Sequence, residues 1–326
     1  MRVLVIGAAG MLGRKLAERL TRDGVVGGER ISELMLVDVT AVSPVEAGGI
    51  AVDRLTADLA QPGVAEALVS ARPSVIFDLA AVVSGEAEAD VEKGYRVNLD
   101  ASRLLFDAVR AAGPGYRPRL VFSSSIAVFG PPLPEVVGDE QALTPATSYG
   151  TQKAMTELLL SDYSRRGYLD GIAIRLPTVC VRPGAPNLAA SGFFSNIIRE
   201  PLRGRPAVLP VSPEVRHWFA SPRASVGFLV HAATLDGPAI GPQRALTMPG
   251  LSATVAMQLD ALRRAAGDEV LSLITREPDE DIARMVAGWP RAFDARRAAS
   301  LGFRSESTFD EIIQAHMDDD RVGRGS

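Results

Sequence analysis

Several features that would assign the protein to a special class are missing from its sequence. Cys180 is the only cysteine among the 326 residues, so an intrachain disulfide is excluded, which is typical of a reducing cytoplasm. The three histidines, His217, His231 and His316, lack metal-ligand spacing, and we expect surface or packing roles for them and no metal site. No apolar run is long enough to span a membrane. The net charge of −4 argues against a general nucleic-acid-binding protein.

The N-terminus has a glycine-rich turn in a setting that favours nucleotide binding. An apolar run at residues 2–6 predicts a buried strand rather than a signal peptide, and residues 14–22 have a helical pattern. Between them stand Gly7, Gly10 and Gly13. Glycines at such a turn let backbone N–H groups approach a pyrophosphate at the N-terminus of the helix. The pattern therefore predicts a dinucleotide site, the alternative being an ordinary strand–helix turn.

An acidic residue follows the second predicted strand and indicates which dinucleotide is bound. The strand at residues 34–37 ends in Asp38, whose carboxylate is placed to accept hydrogen bonds from the adenosine ribose. It would repel a 2′-phosphate, so the sequence favours NAD over NADP. Arg14, just after the last glycine, is a weak signal in the opposite direction.

Two polar residues in the following segments have less certain roles. Asp58 is positioned either to reach the adenine amino group or to cap the N-terminus of a helix at residues 62–71, and both interpretations stay open. A strand at 74–79 leads into the small residues 80–85, which let the backbone close on a flat ligand. Asn98, within a predicted helix at 92–112, is a poor helix former, which makes a buried polar role plausible.

A serine cluster and a tyrosine–lysine pair predict the chemistry. Ser125 is the last of three serines that end the fifth predicted strand, and this end of a parallel strand faces the ligand crevice. Tyr149 and Lys153 are four residues apart at the start of a helix, so they share one face. An ammonium beside a phenol favours the phenolate and would lower the tyrosine pKa. The pair therefore predicts proton transfer to or from a hydroxyl group.

The alternation of strands and helices predicts an α/β protein with a Rossmann-like, doubly wound parallel sheet. We expect residues 1–178 to form the dinucleotide-binding domain, with part of 215–247 returning to it. After a sixth strand at 172–176, prolines break the chain, and we expect 179–326 to form a smaller, loop-rich substrate region. Its predicted helices are at 192–199, 224–235, 254–266 and 282–287, and residues 318–326 are expected to be a frayed tail.

Together these motifs, in this order and at these spacings, resemble the extended short-chain dehydrogenase/reductase family of NAD-dependent epimerases and dehydratases. The resemblance implies that Ser125 hydrogen-bonds the reacting oxygen and that Tyr149 is the acid/base. It implies that Lys153 lowers the pKa of Tyr149 and holds the nicotinamide ribose. The cofactor-binding residues that it implies are Gly7, Gly10, Met11, Leu12, Gly13, Asp38, Asp58, Leu59, Leu79, Ala80, Ala81, Asn98, Tyr149, Lys153, Pro177 and Val179.

The same resemblance bears on the substrate. Residues 216–223 keep the arginine but not the acids that are usual in nucleotide-sugar members of the family. Segments 80–88, 147–153 and 175–184 are instead similar to the branch that oxidises D-erythronate at C2, giving 2-oxo-D-erythronate with NAD. A small sugar acid needs a fixed cation for its carboxylate, and both Arg182 and Arg216 are candidates. Ser84, Ser125, Tyr149 and Asn196 are the candidate partners of its hydroxyl groups.

Two other functions and one assembly remain as expectations. A nucleotide-sugar 4-epimerase or dehydratase would use the same residues while retaining tightly bound NAD. A non-catalytic NAD sensor would need only the fold. Family members commonly pair two long helices from each subunit, so the resemblance implies a homodimer formed by helices 92–112 and 151–165.

Overall fold

The computed structural model describes residues 1–184 and 191–324. The strands are β1 (Arg2–Ile6), β2 (Val25–Val26), β3 (Glu29–Arg30), β4 (Glu33–Asp38), β5 (Ala51–Thr56), β6 (Val75–Asp78), β7 (Arg119–Ser125), β8 (Val137–Gly138), β9 (Asp170–Leu176), β10 (Thr178–Val179), β11 (Ala207–Leu209), β12 (Arg216–Ala220), β13 (Ala245–Thr247), β14 (Leu251–Thr254), β15 (Ile274–Arg276) and β16 (Phe293–Asp294). The helices are α1 (Met11–Asp23), α2 (Val64–Ser70), α3 (Ser84–Ala89), α4 (Val91–Tyr95), α5 (Ala101–Ala111), α6 (Ser148–Arg165), α7 (Gly192–Leu202), α8 (Pro222–Thr234), α9 (Gly237–Ile240), α10 (Val255–Ala266), α11 (Glu280–Ala287), α12 (Arg296–Ser300) and α13 (Phe309–Arg324).

A seven-stranded parallel sheet forms the centre of the fold. Its order is β5-β4-β1-β6-β7-β9-β13, and each neighbouring pair is parallel. Its inner strands are continuous apolar runs because helices cover both faces of the sheet. The strand order reverses direction between β1 and β6, where open α/β sheets bind ligands at the carboxyl ends of the strands. The predicted α/β, doubly wound fold is confirmed.

Apolar clusters on the two faces of this sheet hold the helices in place. On one face, Leu16 of α1 and Phe228 of α8 pack on Val5 and Phe77. On the other face, α2, α5 and α6 pack on the sheet through residues such as Leu105. The glycine turn, the serine cluster and the start of α6 are therefore fixed to one rigid edge.

Part of the C-terminal half of the chain packs against the central sheet. Helix α8 contacts α1, and β13 forms the outer strand beside β9. A third apolar cluster joins α7, α10 and α13 and contains Phe194 and Phe219. The proline-rich region also contains a small sheet in the order β10-β12-β14, which the sequence pattern did not predict.

Two predicted elements differ from the structure. The helix predicted over 92–112 is split into α4 and α5 by a π-helical turn at Arg96–Asp100, which contains Asn98. The C-terminal acids predicted to lie in a frayed tail begin within α13, where Asp319 forms ion pairs with Lys15 and Arg223. Burial of Phe309, Ile312 and Ile313 stabilises this helix; the prediction gave too much weight to the charged end.

Neither a membrane-spanning helix nor a metal centre occurs in residues 1–184 and 191–324. Within those ranges no helix has the length and apolar character that crossing a membrane requires. Nor does any group of three or more His, Cys, Asp or Glu side chains there have the arrangement of a metal site.

Candidate active site

The glycine-rich turn is built by close backbone approaches that only glycine permits. Gly7 has φ +84°, and a Cβ atom on it would lie 2.7 Å from the backbone nitrogen of Ala80. A Cβ atom on Gly13 would lie 2.1 Å from the carbonyl oxygen of Gly7. Gly10 caps α1 without a side chain, and the first turn of α1 has no acidic residue. The turn therefore presents backbone N–H groups where an anion can approach.

Asp38 lies at the end of β4, beside this turn. Its Oδ2 accepts a hydrogen bond from the Ala9 N–H at 2.9 Å, and its Oδ1 accepts one from the Thr40 N–H at 3.0 Å. The carboxylate is only partly buried, so it can also accept bonds from a ribose. Arg14 is exposed and forms an ion pair with Glu18, one turn further along α1, at 3.0 Å, so its charge is already paired. This geometry favours NAD over NADP.

Asp58 does not cap a helix, so that alternative was wrong. The helix α2 begins at Val64, and its N-cap is Gly63 in a left-handed conformation. Asp58 accepts hydrogen bonds from the Ala60 N–H at 2.9 Å and from Arg96 at 2.6 Å. Burial acts to raise the pKa of Asp58, but the bonds from Arg96 and Ala60 outweigh it and lower that pKa. The carboxylate is therefore ionised and fixed in its turn.

Asn98 holds the small-residue loop in place. Its Oδ1 accepts from the Val82 N–H at 2.9 Å, while its Nδ2 donates to the carbonyl oxygen of Val82 at 3.3 Å and to Oε1 of Gln152 at 2.7 Å. The side chain is buried, and its polar groups bind both the N–H and the carbonyl oxygen of one residue, Val82. Its observed contribution to the crevice is therefore to position the loop at residues 80–83.

The other predicted cofactor residues surround the same edge of the sheet. Met11, Leu12, Leu79 and Ala80 are partly buried, Ala81 is exposed, and Leu59, Pro177 and Val179 are buried. Segments after β1, β5, β6 and β9 supply them, so they converge although they are distant in sequence.

The three serines at the end of β7 have different partners. Ser123 donates to the carbonyl oxygen of Asp78 at 3.2 Å, and Ser124 donates to the Glu157 carboxylate at 2.5 Å. Both are buried, whereas Ser125 is partly exposed and shares a hydrogen bond with the Tyr149 hydroxyl. Ser125 is therefore the serine of this cluster that lies beside the phenol.

Tyr149 stands in the first turn of α6, which begins after the N-cap Thr147. Burial raises the pKa of the Tyr149 phenol, and the hydrogen bond from Ser125 and the positive charge of Arg182 only partly offset it. The expectation that Lys153 lowers the Tyr149 pKa was wrong: that pKa is raised, and the groups that act to lower it are Ser125 and Arg182. The sequence argument omitted the cost of burying a phenolate.

Lys153 is fully enclosed beneath Tyr149. Its Nζ donates to the carbonyl oxygen of Ser123 at 2.8 Å and lies 5.7 Å from the centroid of the Tyr149 ring. Burial lowers the pKa of Lys153 to about 8, although the carboxylates of Asp78 and Glu157 act to raise it. The lysine is thus a buried cation whose charge depends on these two acids.

A buried ion pair continues the polar face of α6. Glu157 is four residues after Lys153, and Arg175 on β9 donates to both of its carboxylate oxygens, the shortest contact being 2.8 Å. Bidentate pairing of this kind compensates two buried charges. Because Arg175 neutralises Glu157, Asp78 is the main counter-charge for Lys153.

Arg182 is the predicted carboxylate-binding arginine whose charge acts on Tyr149. Its Nε donates to the carbonyl oxygen of Val179 at 3.1 Å and its Nη2 to Ser191 at 2.8 Å. Burial lowers the pKa of Arg182, yet its charge still acts on both Tyr149 and His217. The guanidinium is therefore near enough to both rings for its charge to act on them.

The remaining predicted substrate residues, Arg216, Asn196 and Ser84, have other partners or no described contact with Tyr149. Arg216 is exposed, and its guanidinium donates to the carbonyl oxygen of Ser252 at 3.3 Å. The Oδ1 of Asn196 accepts a hydrogen bond from Arg199 at 2.6 Å, so only its amide nitrogen remains to donate. Ser84 is partly buried at the start of α3. The geometry supports Arg182 over Arg216 for the carboxylate.

A comparison with protein families identifies the fold family. Residues 3–218 match the model of the NAD-dependent epimerase/dehydratase family. The chain belongs to this family. The residues also fit NAD. The turn at Gly7 and Gly13 has no Cβ atoms that would fill it, so a pyrophosphate can approach, and the Asp38 carboxylate lies beside the turn, where it can accept hydrogen bonds from a ribose. NAD is the cofactor that the family uses, and this chain has the residues to hold it.

Full-length relatives narrow the comparison. The chain is 48% identical to a D-erythronate dehydrogenase of Cupriavidus necator, over 98% of both chains. It is 42% identical to a D-erythronate dehydrogenase of Haemophilus influenzae, over 98% of this chain and all of that one. A crystal structure described as the nucleoside-diphosphate-sugar epimerase from Agrobacterium tumefaciens is 60% identical, with a TM-score of 0.96 over 99% of this chain and 95% of that one.

Several polar residues of the site were missed by the sequence analysis. Glu157 could have been found, because it continues the four-residue spacing of Tyr149 and Lys153 along α6. Asp78 ends a strand and so carried the same signal as Asp38. His217 was expected to have a surface or packing role, and its bond to Thr178 depends on the pairing of β10 with β12. No local pattern marks that pairing.

Proposed function

We propose that the protein catalyses the NAD-dependent oxidation of D-erythronate to 2-oxo-D-erythronate. The single observation that carries the proposal is the position of the Arg182 guanidinium, which acts on the Tyr149 phenol while Ser125 hydrogen-bonds the same phenol. A 2-hydroxy acid needs a cation and a proton acceptor within a few ångströms of each other. The two full-length relatives named above support this substrate.

Each residue has a distinct role in the proposed reaction. Arg182 binds the substrate carboxylate, which sets the C2 hydroxyl beside Ser125 and Tyr149. Ser125 donates its hydroxyl proton to the reacting oxygen, and the Tyr149 phenolate accepts the proton that leaves it. Lys153, held by the Ser123 carbonyl group, binds the nicotinamide ribose of the cofactor. When bound, NAD⁺ accepts the hydride from C2.

The turn at Gly7 and Gly13 binds the pyrophosphate, and Asp38 binds the adenosine ribose. Asn98 keeps the Val82 peptide in the position that completes the crevice. These residues bind and orient, so their replacement is expected to weaken cofactor binding. Replacing Ser125 or Tyr149 instead slows the chemical step.

The variant Tyr149→Phe tests the mechanism. It keeps the ring and removes the hydroxyl group, so turnover should fall by about 10²–10⁴-fold while NAD binding is retained. Tyr163→Phe, on the same helix but away from the crevice, is the matched control. Near-full turnover by Tyr149→Phe would end this assignment.

The second candidate is a nucleotide-sugar epimerase or dehydratase. The observation that favours it is the 60% identical Agrobacterium protein, which is described as an epimerase. An epimerase would return the hydride to the sugar, so purified protein should contain NAD and release no net NADH. Conversion of a UDP-sugar without NADH release, together with inactivity on all sugar acids, would assign the protein to the epimerases or dehydratases.

The location, assembly and domain division are part of the same proposal. We place the protein in the cytoplasm because its one cysteine, Cys180, is a buried thiol. A homodimer would cover the outward face of α6, where Leu158 is 67% and Met155 42% exposed. Residues 1–178 with part of 215–247 form the NAD-binding domain of this proposal, and 179–326 the substrate region.

A further inference from the structure

His217 is a buried titratable side chain that the proposed reaction does not use. It lies on β12 with 2% of its surface exposed. Its ring stacks on Phe194, with centroids 5.4 Å apart and planes 4° apart, and it meets Phe219 and Trp289 at 5.4 and 5.2 Å. Because these rings exclude water from His217, burial disfavours the charged form of its imidazole.

Both nitrogens of the ring have partners. Nδ1 lies 3.0 Å from the carbonyl oxygen of Pro290, and Nε2 lies 2.7 Å from Oγ1 of Thr178. A carbonyl oxygen only accepts, so Nδ1 must carry the proton. Burial lowers the pKa of His217 to about 4, and the Arg182 charge adds to this effect, although the bond to Pro290 opposes it. At neutral pH the ring is therefore uncharged, and Nε2 carries no proton.

This tautomer fixes the direction of the Thr178 hydrogen bond. A threonine hydroxyl has one proton to donate and two lone pairs that accept. The proton is donated to Nε2 of His217, so the oxygen of Thr178 is left as an acceptor only. Thr178 is partly exposed between the buried Pro177 and Val179. The next residue, Val179, accepts a hydrogen bond through its carbonyl oxygen from Nε of Arg182 at 3.1 Å, so Thr178 stands beside the arginine proposed to bind the substrate carboxylate.

We infer that His217 is a positioning residue that fixes the Thr178 hydroxyl as a hydrogen-bond acceptor for a hydroxyl group of the substrate. The inference rests on the proposed function for the identity of that substrate. An acceptor at this point binds a hydroxyl donor and disfavours a carbonyl or carboxylate oxygen. It therefore selects a polyhydroxy acid over a simple 2-hydroxy acid.

The tautomer is tested without any substrate. Long-range ¹H–¹⁵N NMR of the histidine side chains should show His217 as the Nδ1–H tautomer and not titrating between about pH 5 and 8, with assignment by His217→Phe. Thr178→Val should shift this resonance, because it removes the hydroxyl donor. An imidazolium, an Nε2–H tautomer or no response to Thr178→Val would overturn the inference.

Steady-state kinetics tests the role in specificity. His217→Phe keeps an aromatic ring and removes the acceptor, so KM for D-erythronate should rise roughly two- to tenfold with kcat changing less. Discrimination against (R)-2-hydroxybutyrate, which lacks the 3- and 4-hydroxyl groups, should shrink in parallel. His217→Gln, which can place an amide oxygen near the Nε2 position, should recover part of the loss.

A double-mutant cycle shows whether His217 acts through Thr178. Adding His217→Phe to Thr178→Val should cause little further loss, because the hydroxyl that it positions is already gone. His231→Phe is the matched control, since His231 bonds the carbonyl group of Leu301 and packs on Phe303 elsewhere in the fold. Effects of the two site variants that multiply would refute the coupling.

The two arms separate the inference from the proposed function. If wild-type protein oxidises no sugar acid but the NMR result is as expected, the proposed substrate is wrong and the tautomer assignment stands. If wild-type protein oxidises D-erythronate but the cycle shows no coupling, the proposed function stands and the role of His217 is wrong.

Discussion

At the scale of single residues, the site depends on how burial and charge set proton affinities. Tyr149 has a raised pKa because burial disfavours its phenolate, while Lys153 has a pKa of about 8 because burial disfavours its ammonium. Ser125 and Arg182 act in favour of the phenolate. The four-residue spacing of Tyr149 and Lys153 therefore gives their geometry but not their pKa values, which burial and other neighbours set.

The pH dependence of the reaction follows from these shifts. Oxidation needs deprotonated Tyr149, so kcat/KM for oxidation should rise with pH from 6 to 9, because the Tyr149 pKa is raised. Reduction of the 2-oxo acid needs protonated Tyr149 and should fall over the same range. Initial rates in both directions across this pH range provide the check. A flat profile, or oxidation that slows as pH rises, would contradict the assigned base.

Replacing each of the two candidate arginines should have a different effect on substrate binding. Arg182→Met should raise KM for the sugar acid about tenfold to a hundredfold, since a charge-assisted bond to the carboxylate is lost. Arg216→Met is the matched variant, and its effect should be within about twofold because Arg216 is exposed and bound to Ser252. If Arg216→Met raised KM for the sugar acid more than Arg182→Met did, Arg216 would be the residue that binds the carboxylate.

At the scale of elements, the cofactor crevice depends on close packing between the glycine turn and its neighbours. Gly13 on α1 lies against the Gly7 carbonyl group, and Gly7 lies against the loop that follows β6. A side chain at either position would push apart the elements that present the N–H groups. This is why the spacing of the glycines in the sequence predicts a turn of this shape.

Replacing Gly13 tests this packing. Gly13→Ala should abolish measurable NAD binding in a fluorescence or calorimetric titration, because its Cβ would stand 2.1 Å from a backbone oxygen. Gly227→Ala on α8 is the control, since no atom lies within 4 Å of its Cβ. It should leave binding unchanged and stabilise the helix by about 0.5–1 kcal/mol. NAD affinity of Gly13→Ala equal to that of Gly227→Ala would refute the packing account.

The parts of the site that could be predicted are those carried by local motifs. The turn at Gly7, Asp38, the serine cluster and the start of α6 each follow from a short stretch read with its strand or helix. The Glu157–Arg175 pair and the His217–Thr178 bond join β9 to α6 and β12 to β10, so they depend on tertiary register. The capping role of Asp58 failed because the turn at Gly63 starts α2 instead.

At the scale of the whole molecule, the C-terminal half is partly built into the NAD-binding sheet. Helix α8 packs on α1, β13 extends the sheet, and α13 forms an ion pair with Lys15 on α1. The C-terminal half is therefore held against the central sheet and α1 at several points. Sequence periodicity identified α7, α8, α10 and α11 but not α9, α12 and α13. It also missed the small strands, because strands of two to five residues carry little alternation.

The proposed homodimer makes a prediction at this scale. Leu158→Glu places a charge at the centre of the exposed apolar face of α6, so it should convert a dimer into a monomer in sedimentation or light scattering. Val208→Glu, also exposed but on β11, is the control and should not change the mass. A wild-type protein that is monomeric at micromolar concentration would contradict the assembly.

The central claim is tested most directly by NADH formation when purified protein is mixed with NAD⁺ and four-carbon sugar acids. We predict steady NADH formation with D-erythronate, one NADH for each 2-oxo-D-erythronate, and little with D-threonate, which has the opposite configuration at C2. No NADH with any sugar acid, and a UDP-sugar converted without NADH release, would contradict the account and assign the protein to the epimerases.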